Sequence, residues 1–529
     1  MQMKTAKELD IPVRSWVPDR LAVAAVFIIM LPIAMLNGTY TGSMVEVSNT
    51  LGVYTEDITI GYYAASAGMA VAYPIVPKIL NALPAKTLLL VDLVLQFFLS
   101  WFCARQANID LLITASFIIG FLKGFLMLWI IRRIKFIFSP KDVRSEFYAY
   151  FYPLVFGGGQ LSMVITALLA YHYDWKYMYY FMMLLLAVAI LSVIMFFRID
   201  RQARPIPWKE LHPREMLIIS TGLLMLIYVI TYGKTLDWFA DPTIVRSTIL
   251  TVVFAAVFFY MEWSHRSPYF LMEVFRLRTI NMGIVLFLLL MVFNTSSMFV
   301  NVFTGIGMEI DNWQNAALGN WSMLGYFIGA VIAIILGSRN VKLKYLFGLG
   351  FLLIGVSALF MYFEVQTAGL YERMKYPVII RSTGMMLIYS LTAVYANQRM
   401  PYKYLSTWIC IMLSVRMVIG PGIGSALYSN VLQHRQQHYV TMFAQDVDRT
   451  DTQTASSYDQ TLQGMRWQGR SETEAENMAA MSAKGKVQVQ ATLSAVKEMS
   501  GWTFYGCIIS MLFVLIYPYK KRKLSAWRD

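Results

Sequence analysis

The chain has 529 residues, 57% of them hydrophobic and 14% charged, with a formal net charge of +14. That composition excludes an ordinary soluble domain. The apolar residues fall into fourteen long runs, at about 21–47, 58–80, 87–104, 111–131, 147–171, 177–197, 216–233, 243–262, 279–304, 314–337, 343–363, 376–397, 404–430 and 501–518. Each is near the ~20 residues that carry a helix across the hydrocarbon core, where every backbone hydrogen bond must be made internally.

The loops between these runs alternate between crowded and nearly bare of Lys and Arg. With the N-terminus taken as cytoplasmic, the short outer loops hold only Arg105, Lys176, Lys234, Arg373 and Lys375. The positive-inside rule then places both termini in the cytoplasm. The net charge is accounted for by inner-side cations such as Arg132, Arg133, Lys135 and the tail Lys520–Lys523, which face anionic lipid, so nucleic acid is not expected as a partner. Glu8, Asp10 and Asp19 among the first basic residues, and a first run longer than a signal core, argue against cleavage. Cys103, Cys410 and Cys507 sit on separate runs and form no disulfide framework or metal spacing, and no cofactor is expected.

In chain order, 1–200 reads as a six-helix bundle, and 201–275 as a polar, Pro-punctuated linker followed by an added helix pair. Residues 276–430 hold helices 9–13 of a second bundle, 431–500 a Gln/Thr/Ser-rich outer loop, and 501–529 the last helix and a basic tail. The 431–500 segment is expected to be a hairpin or a partly disordered loop, because 472–498 has helical composition without a strong apolar face. The fold class is therefore all-α integral membrane, with fourteen transmembrane helices in two six-helix bundles and an inserted pair. A weak repeat supports the division. Lys123 and Arg381 occupy matching helices, and Gly157, Gly158 and Gly159 match Gly420, Pro421, Gly422 and Gly424. Small residues at matched positions let helices approach and slide, as a transporter built from two repeats requires.

Ionisable groups inside a bilayer cost about 2.5–3.5 kcal/mol on insertion scales, so the few present are candidates for function. Asp92 and Glu46 are the carboxylates that could carry a proton. Asn37, Lys123, Gln160, Asn294, Asn301 and Arg381 are candidates to line a substrate cavity, and Arg416 with the glycine run beside it reads as gating or structural. On one continuous helix, Glu46 would share a face with Thr39 and oppose Asn37. The 34 Met, 33 Phe and 32 Tyr offer a polarizable lining for hydrophobic ligands. No nucleophile elbow, zinc-protease helix or nucleotide loop is found, which argues against an enzyme.

Three regions resemble the fourteen-helix drug:proton antiporter branch of the major facilitator superfamily. They are Leu36-Asn37-Gly38-Thr39 with Leu51-Gly52-Val53, then Trp175-Lys176-Tyr177, and last Pro377-x-x-x-Arg381-x-x-Gly384 with Arg416-x-x-x-Gly420-x-x-x-Gly424, Arg435 and His438. The chain departs from that pattern at Asn37, where the family has a carboxylate, in the reduced loop Pro74–Lys78, near Gly120, where the family has an Arg, and at Ser162-Met163. The resemblance implies a major facilitator fold in a bacterial inner membrane and proton-coupled export of amphipathic drugs or hydrophobic small molecules by alternating access. It also brings in a periplasmic adaptor and an outer-membrane channel as partners. The alternative, prompted by Asn37 and the embedded cations, is a transporter of a dedicated anionic metabolite with altered or absent proton coupling.

Overall fold

The computed structural model describes residues 11–139, 144–200, 203–265, 268–339, 341–366, 369–397, 400–446 and 452–519; some side chains within them, Asn37 included, lie outside the description. Among the described residues there is no strand, only an isolated antiparallel bridge between Val13 and Phe197. The first six long helices are α1 (Asp19–Gly42), α2 (Thr55–Ala72), α3 (Ala85–Arg105), α4 (Ile109–Phe138), α5 (Arg144–His172) and α6 (Tyr177–Phe196). A pair follows, α7 (Pro213–Tyr232) and α8 (Pro242–Ser264). The second six are α9 (Arg278–Asn294), α10 (Trp321–Ser338), α11 (Leu343–Glu364), α12 (Lys375–Ala396), α13 and α14 (Glu472–Ile516). Helix α13 is composite, with Leu405–Ser414, a π-helical turn Val415–Ile419 and then Gly420–Asp446. Among the described residues, thirteen helical stretches are long and apolar enough to cross a membrane. The fourteenth, α2, is made less apolar by Glu56 and Asp57 in its first turn, and beyond them nearly all of its residues are buried. This is a multi-pass membrane protein.

Helices α1–α6 pack on one another, as do α9–α14, and α7 lies against both α2 and α13 at one flank of the join between the halves. The linker returns to the first half, where Arg198 N donates to Pro12 O at 2.9 Å and Asp200 Oδ1 accepts from Ala85 N at 3.1 Å. The chain's described ends and the linker therefore share one end of the molecule, here the linker end; the opposite face is the loop end. Starts of helices at the loop end are capped as their sequence allows. Asn108 accepts from Asp110 N and Leu111 N at 2.9 and 3.3 Å, and Asp241 accepts from Thr243 N at 2.6 Å.

Close backbone crossings need residues without side chains. At the α2–α4 crossing, a Cβ added to Gly120 would lie 1.8 Å from Ala65 O, and one added to Gly68 would lie 2.1 Å from Phe117 O. Neither backbone can give way without separating the helices. Gly120→Val is therefore expected to lower the unfolding midpoint in detergent, by about 1–3 kcal/mol of overpacking or more. Gly157→Val, at a position with nothing within 4 Å of an added Cβ, should leave the midpoint near the parent value. Equal shifts in the two variants would show that the crossing does not set this stability.

Several expectations need correcting. The run 21–47 is not one helix; it breaks at Ser43, whose φ is −126° and ψ 20°, and a short helix Met44–Leu51 restarts. The wheel relation of Glu46 to Thr39 and Asn37 therefore does not hold. The run 279–304 likewise divides into α9, Ser297–Val302 and a π turn Phe303–Gly307. The 431–500 segment is largely helical among its described residues. It comprises the extension of α13 to Asp446, a helix Thr452–Trp467 and the first part of α14. The missing apolar stripe is replaced by small buried residues, Ala475, Ala479 and Ala491, and by Leu493 and Val496. A capping box at Ser471 and Glu474 starts the helix, and Glu498 accepts two hydrogen bonds from Arg435, both at 2.7 Å. The tail Lys520–Lys523 lies outside the described residues.

Candidate substrate cavity

A cavity of about 350 Å³ lies between the two halves in the linker-end part of the molecule. Its walls include the last turns of α4 (Met127, Ile131, Arg132, Lys135), the first turns of α5 (Phe147, Tyr148, Phe151, Tyr152) and α13 (Trp408, Met412, Arg416), with Tyr73, Asn397 and Lys403 beside them. The wall is aromatic because the opening of α5 is an aromatic run. Residues four apart share a face, so Tyr148 stacks on Tyr152 at 5.2 Å and Phe147 on Phe151 at 5.1 Å. The charges are of one sign. Among the described residues, Arg132, Lys135, Lys403 and Arg416 line the cavity, and no Asp or Glu does.

Arg416 follows Leu405 by eleven residues, about 16 Å along a helix and so near the middle of a ~30 Å hydrocarbon core. It lies in the π-helical turn, an irregularity frequent at functional sites. Its Nη1 donates to Tyr152 Oη at 3.5 Å, and its guanidinium sits 5.1 Å from the Tyr389 ring centre and 5.8 Å from that of Tyr152. Tyr389 meets Tyr152 edge-on at 4.7 Å and Phe156 at 4.8 Å, joining α5 to α12. Arg416 Nε and Trp408 Nε1 are buried N–H donors without an acceptor among the described residues. Leaving a buried donor unsatisfied costs about 1–3 kcal/mol, which is tolerated most readily where a ligand supplies the acceptor. Lys123 on α4 is buried and within electrostatic range of Arg416. At the linker end Lys403 meets Glu273 at 3.2 Å. Hydrogen bonds from Tyr404 and Lys403 hold the Glu273 carboxyl below its ordinary value, so that pair persists at neutral pH and is lost only in acid.

The other candidates are dispersed. Arg381 does not line this cavity; its Nη1 donates to Asn294 Oδ1 at 2.7 Å and Asn294 O at 3.2 Å, which ties α12 to α9 within the second half. Asp92 is buried on α3, a helix that packs on α4 and α6, accepts from Gln96 Nε2 at 3.2 Å, and is not among the residues that line the cavity. Asn301 is exposed, and the side chain of Asn37 lies outside the described residues. Gly158 abuts Ala34 on α1, while Gly157 faces open space. Gly159 lies beside them on α5, and Pro421 follows Gly420 at the start of the last part of α13. Gly420 and Gly424 seat α13 on α9, where added Cβ atoms would lie 2.7 Å from Met291 Cβ and 2.4 Å from Thr295 Oγ1.

Glu46 and Gln160 act at the loop end. Asn312 Nδ2 donates to both Glu46 carboxylate oxygens, at 2.8 and 3.1 Å, across the two halves. Gln160 Nε2 approaches Ala316 O at 3.5 Å, and Tyr171 approaches Asp311 at 3.5 Å. The short helix Asn312–Leu318 thus closes the loop end. At the linker end Asn397 Nδ2 donates to Tyr148 Oη at 2.8 Å. The cavity tyrosines, Trp408 and Asn312 were missed by sequence reasoning, although the aromatic run 147–152 carried a four-residue period that could have found the first of these.

The model of the Major Facilitator Superfamily matches residues 24–425. The chain belongs to this superfamily. No curated protein matches it. Among solved structures it is similar to tetrameric PepTSo2, at 14% identity and TM-score 0.54, with 94% of this chain and 97% of that one covered. It is likewise similar to a peptide transporter POT in complex with sulfate (11% identity, TM-score 0.54, 97% and 99% covered). A third similar structure is described as giving insight into substrate recognition in proton dependent oligopeptide transporters (13%, TM-score 0.55, 93% and 98%). At these identities the likeness is one of fold alone; it is the superfamily match over residues 24–425 that marks the chain as a transporter rather than an enzyme.

Proposed function

We propose that this superfamily member is a secondary-active transporter that moves amphipathic organic anions through the central cavity by alternating access. The carrying observation is the lining. Aromatic and methionine side chains line the cavity with Arg416, whose Nε, like Trp408 Nε1 in the same wall, has no acceptor among the described residues, and no described carboxylate lines it. An apolar wall with a few convergent donors suits a hydrophobic body bearing a carboxylate, sulfonate or phosphate. A cationic drug would meet like charge there, so of the two readings of the sequence the geometry favours the anionic one. With the linker end in the cytoplasm of a bacterial inner membrane, as the loop charges imply, the cavity lies on the cytoplasmic side and the closed end on the outer side, the arrangement from which export begins.

Proton coupling is part of the proposal. Structures of similar fold are described as proton-dependent transporters, and Glu46 is a membrane-end carboxylate holding the two halves together. Protonation would weaken it as an acceptor and release the closure, while Asp92 serves the packing of the first bundle. An adaptor with an outer-membrane channel would meet the projecting hairpin of α13 and α14, where Trp467 and Met481 are exposed.

The test is flux into proteoliposomes of a labelled amphipathic carboxylate, its methyl ester and an amine of the same skeleton, with and without an imposed pH gradient. The carboxylate should move at least about tenfold faster than the amine, since one charge-assisted hydrogen bond is worth about 1.5 kcal/mol or more. A faster amine would return the reading to cationic drug export. Indifference to the gradient would remove proton coupling and leave the substrate class standing.

A further inference from the structure

Away from the cavity, the two ends of the inserted helix pair converge on a set of donors that the transport reading does not use. His212 precedes α7, Glu215 lies in its first turn, and His265 follows the last residue of α8. One donor atom from each lies within 4.8 Å of the others. His212 Nδ1 is 3.8 Å and His265 Nε2 3.9 Å from the same oxygen, Glu215 Oε1. His212 and Glu215 are buried, whereas the His265 side chain is 52% exposed and leaves an approach from solvent. His212 holds a left-handed backbone, with φ 50°, a conformation uncommon for residues other than Gly, Asn, Asp and His.

A second observation points the same way. Glu262, on the last turns of α8, is 3% exposed, and its Oε2 accepts from Phe270 N at 2.9 Å. Its other oxygen, Oε1, is buried without a partner among the described residues, and it lies within electrostatic range of Glu215. Two carboxylates and two imidazoles are thus gathered, with Lys78, which donates to Glu210 O, as a neighbouring cation among the described residues. Such a gathering is unfavourable unless a positive charge joins it.

We propose that His212, Glu215 and His265 bind a divalent first-row transition-metal ion, with Glu262 as the neighbouring carboxylate that completes its charge. Imidazole nitrogen with one carboxylate favours zinc or its neighbours over magnesium or calcium, which prefer all-oxygen sites. In a tetrahedral site with bonds of ~2.0–2.1 Å, donors lie about 3.4 Å apart. The observed 3.8 and 3.9 Å to Glu215 Oε1, and a separation of up to 4.8 Å between donors of the set, would contract toward that value as the side chains turn onto an ion. The ion ties the start of α7 to the end of α8. Because Tyr269, four residues on, donates to Val71 O of α2, it also steadies a helix that packs at the join of the halves.

The experiment uses the full-length protein purified in detergent, stripped with a chelator and titrated with Zn²⁺, Co²⁺ or Mg²⁺ alone. Binding is read by calorimetry, by metal content after desalting, and by the visible bands of bound Co²⁺. The expected result is one equivalent of Zn²⁺ or Co²⁺ and none of Mg²⁺. His265→Gln, at an exposed position that does not endanger folding, should weaken binding at least about 100-fold, since even second-shell losses cost 10- to 100-fold. Glu262→Gln should weaken it by less. His434→Gln, remote from the set, serves as the control and should change nothing. No equivalent bound by the parent, or a zinc affinity unmoved by His265→Gln, overturns the assignment.

Discussion

Replacing Arg416 with Gln is expected to slow transport of an amphipathic carboxylate by about 10- to 150-fold, the equivalent of losing one charge-assisted hydrogen bond of about 1.5–3 kcal/mol. The methyl ester of the same compound should be nearly unaffected, because it never used the charge. Arg416→Lys should fall between, since an ammonium keeps the attraction but not the planar fork or the ring contacts with Tyr152 and Tyr389. Arg381→Gln makes the contrast. That guanidinium is bound to Asn294 inside the second half, so its removal should lower the thermal midpoint without changing the ratio of acid to ester flux. If acid and ester slow alike in Arg416→Gln, the residue holds the bundle together and does not select anions.

The second large effect is expected at the loop end. Asn312→Asp would place a second carboxyl about 3 Å from Glu46, where the native amide donates to both oxygens. Two like charges at that distance repel by roughly 1–5 kcal/mol, depending on how much water screens them. The closed form of this variant must therefore hold a shared proton, and its carboxyl pair titrates above the ordinary carboxylate range. The sign follows from linkage. The closed state binds more protons than the open one, so closure is favoured in acid and is lost as pH rises through the raised value. Accessibility of a reporter cysteine at position 313 to an outer-side thiol reagent should rise steeply with pH in Asn312→Asp. In the parent, where the Asn312 amide donates to Glu46 and no second carboxyl is present, it should change far less. A flat profile in the variant would mean that the halves are held shut by other contacts, such as those of Gln160 and Tyr171.

Some of this was legible in residue order alone and some was not. Hydrophobic length located the fourteen spans because each helix satisfies its own backbone and needs no partner to be recognised. The alternating loop charges gave an even count of spans for the same local reason. The matched polar and glycine residues led to two halves, and neither Lys123 nor Arg381 is among the residues that line the cavity. Lys123 lies near Arg416, toward the join, while Arg381 is enclosed within its own half. Arg132 and Lys135, read as lipid-facing determinants of topology, also line the cavity, since one cation can serve both where a helix ends at an inter-bundle cleft. Helical geometry misled for Glu46, because the break at Ser43 is a property of packing that no periodicity reports.

The sequence by itself determined that the chain is helical, spans a membrane many times and carries its charge at one set of loop ends, all consequences of one segment meeting lipid. Only the tertiary structure decided which embedded groups meet. Arg416 joins the tyrosines of α5 and α12, Glu46 finds Asn312 far along the chain, and His212 finds His265 across the inserted pair. Each of these depends on the rotation and crossing of helices, set by steric contacts such as Gly120 against Ala65, and a linear pattern holds no record of which faces those contacts bring together.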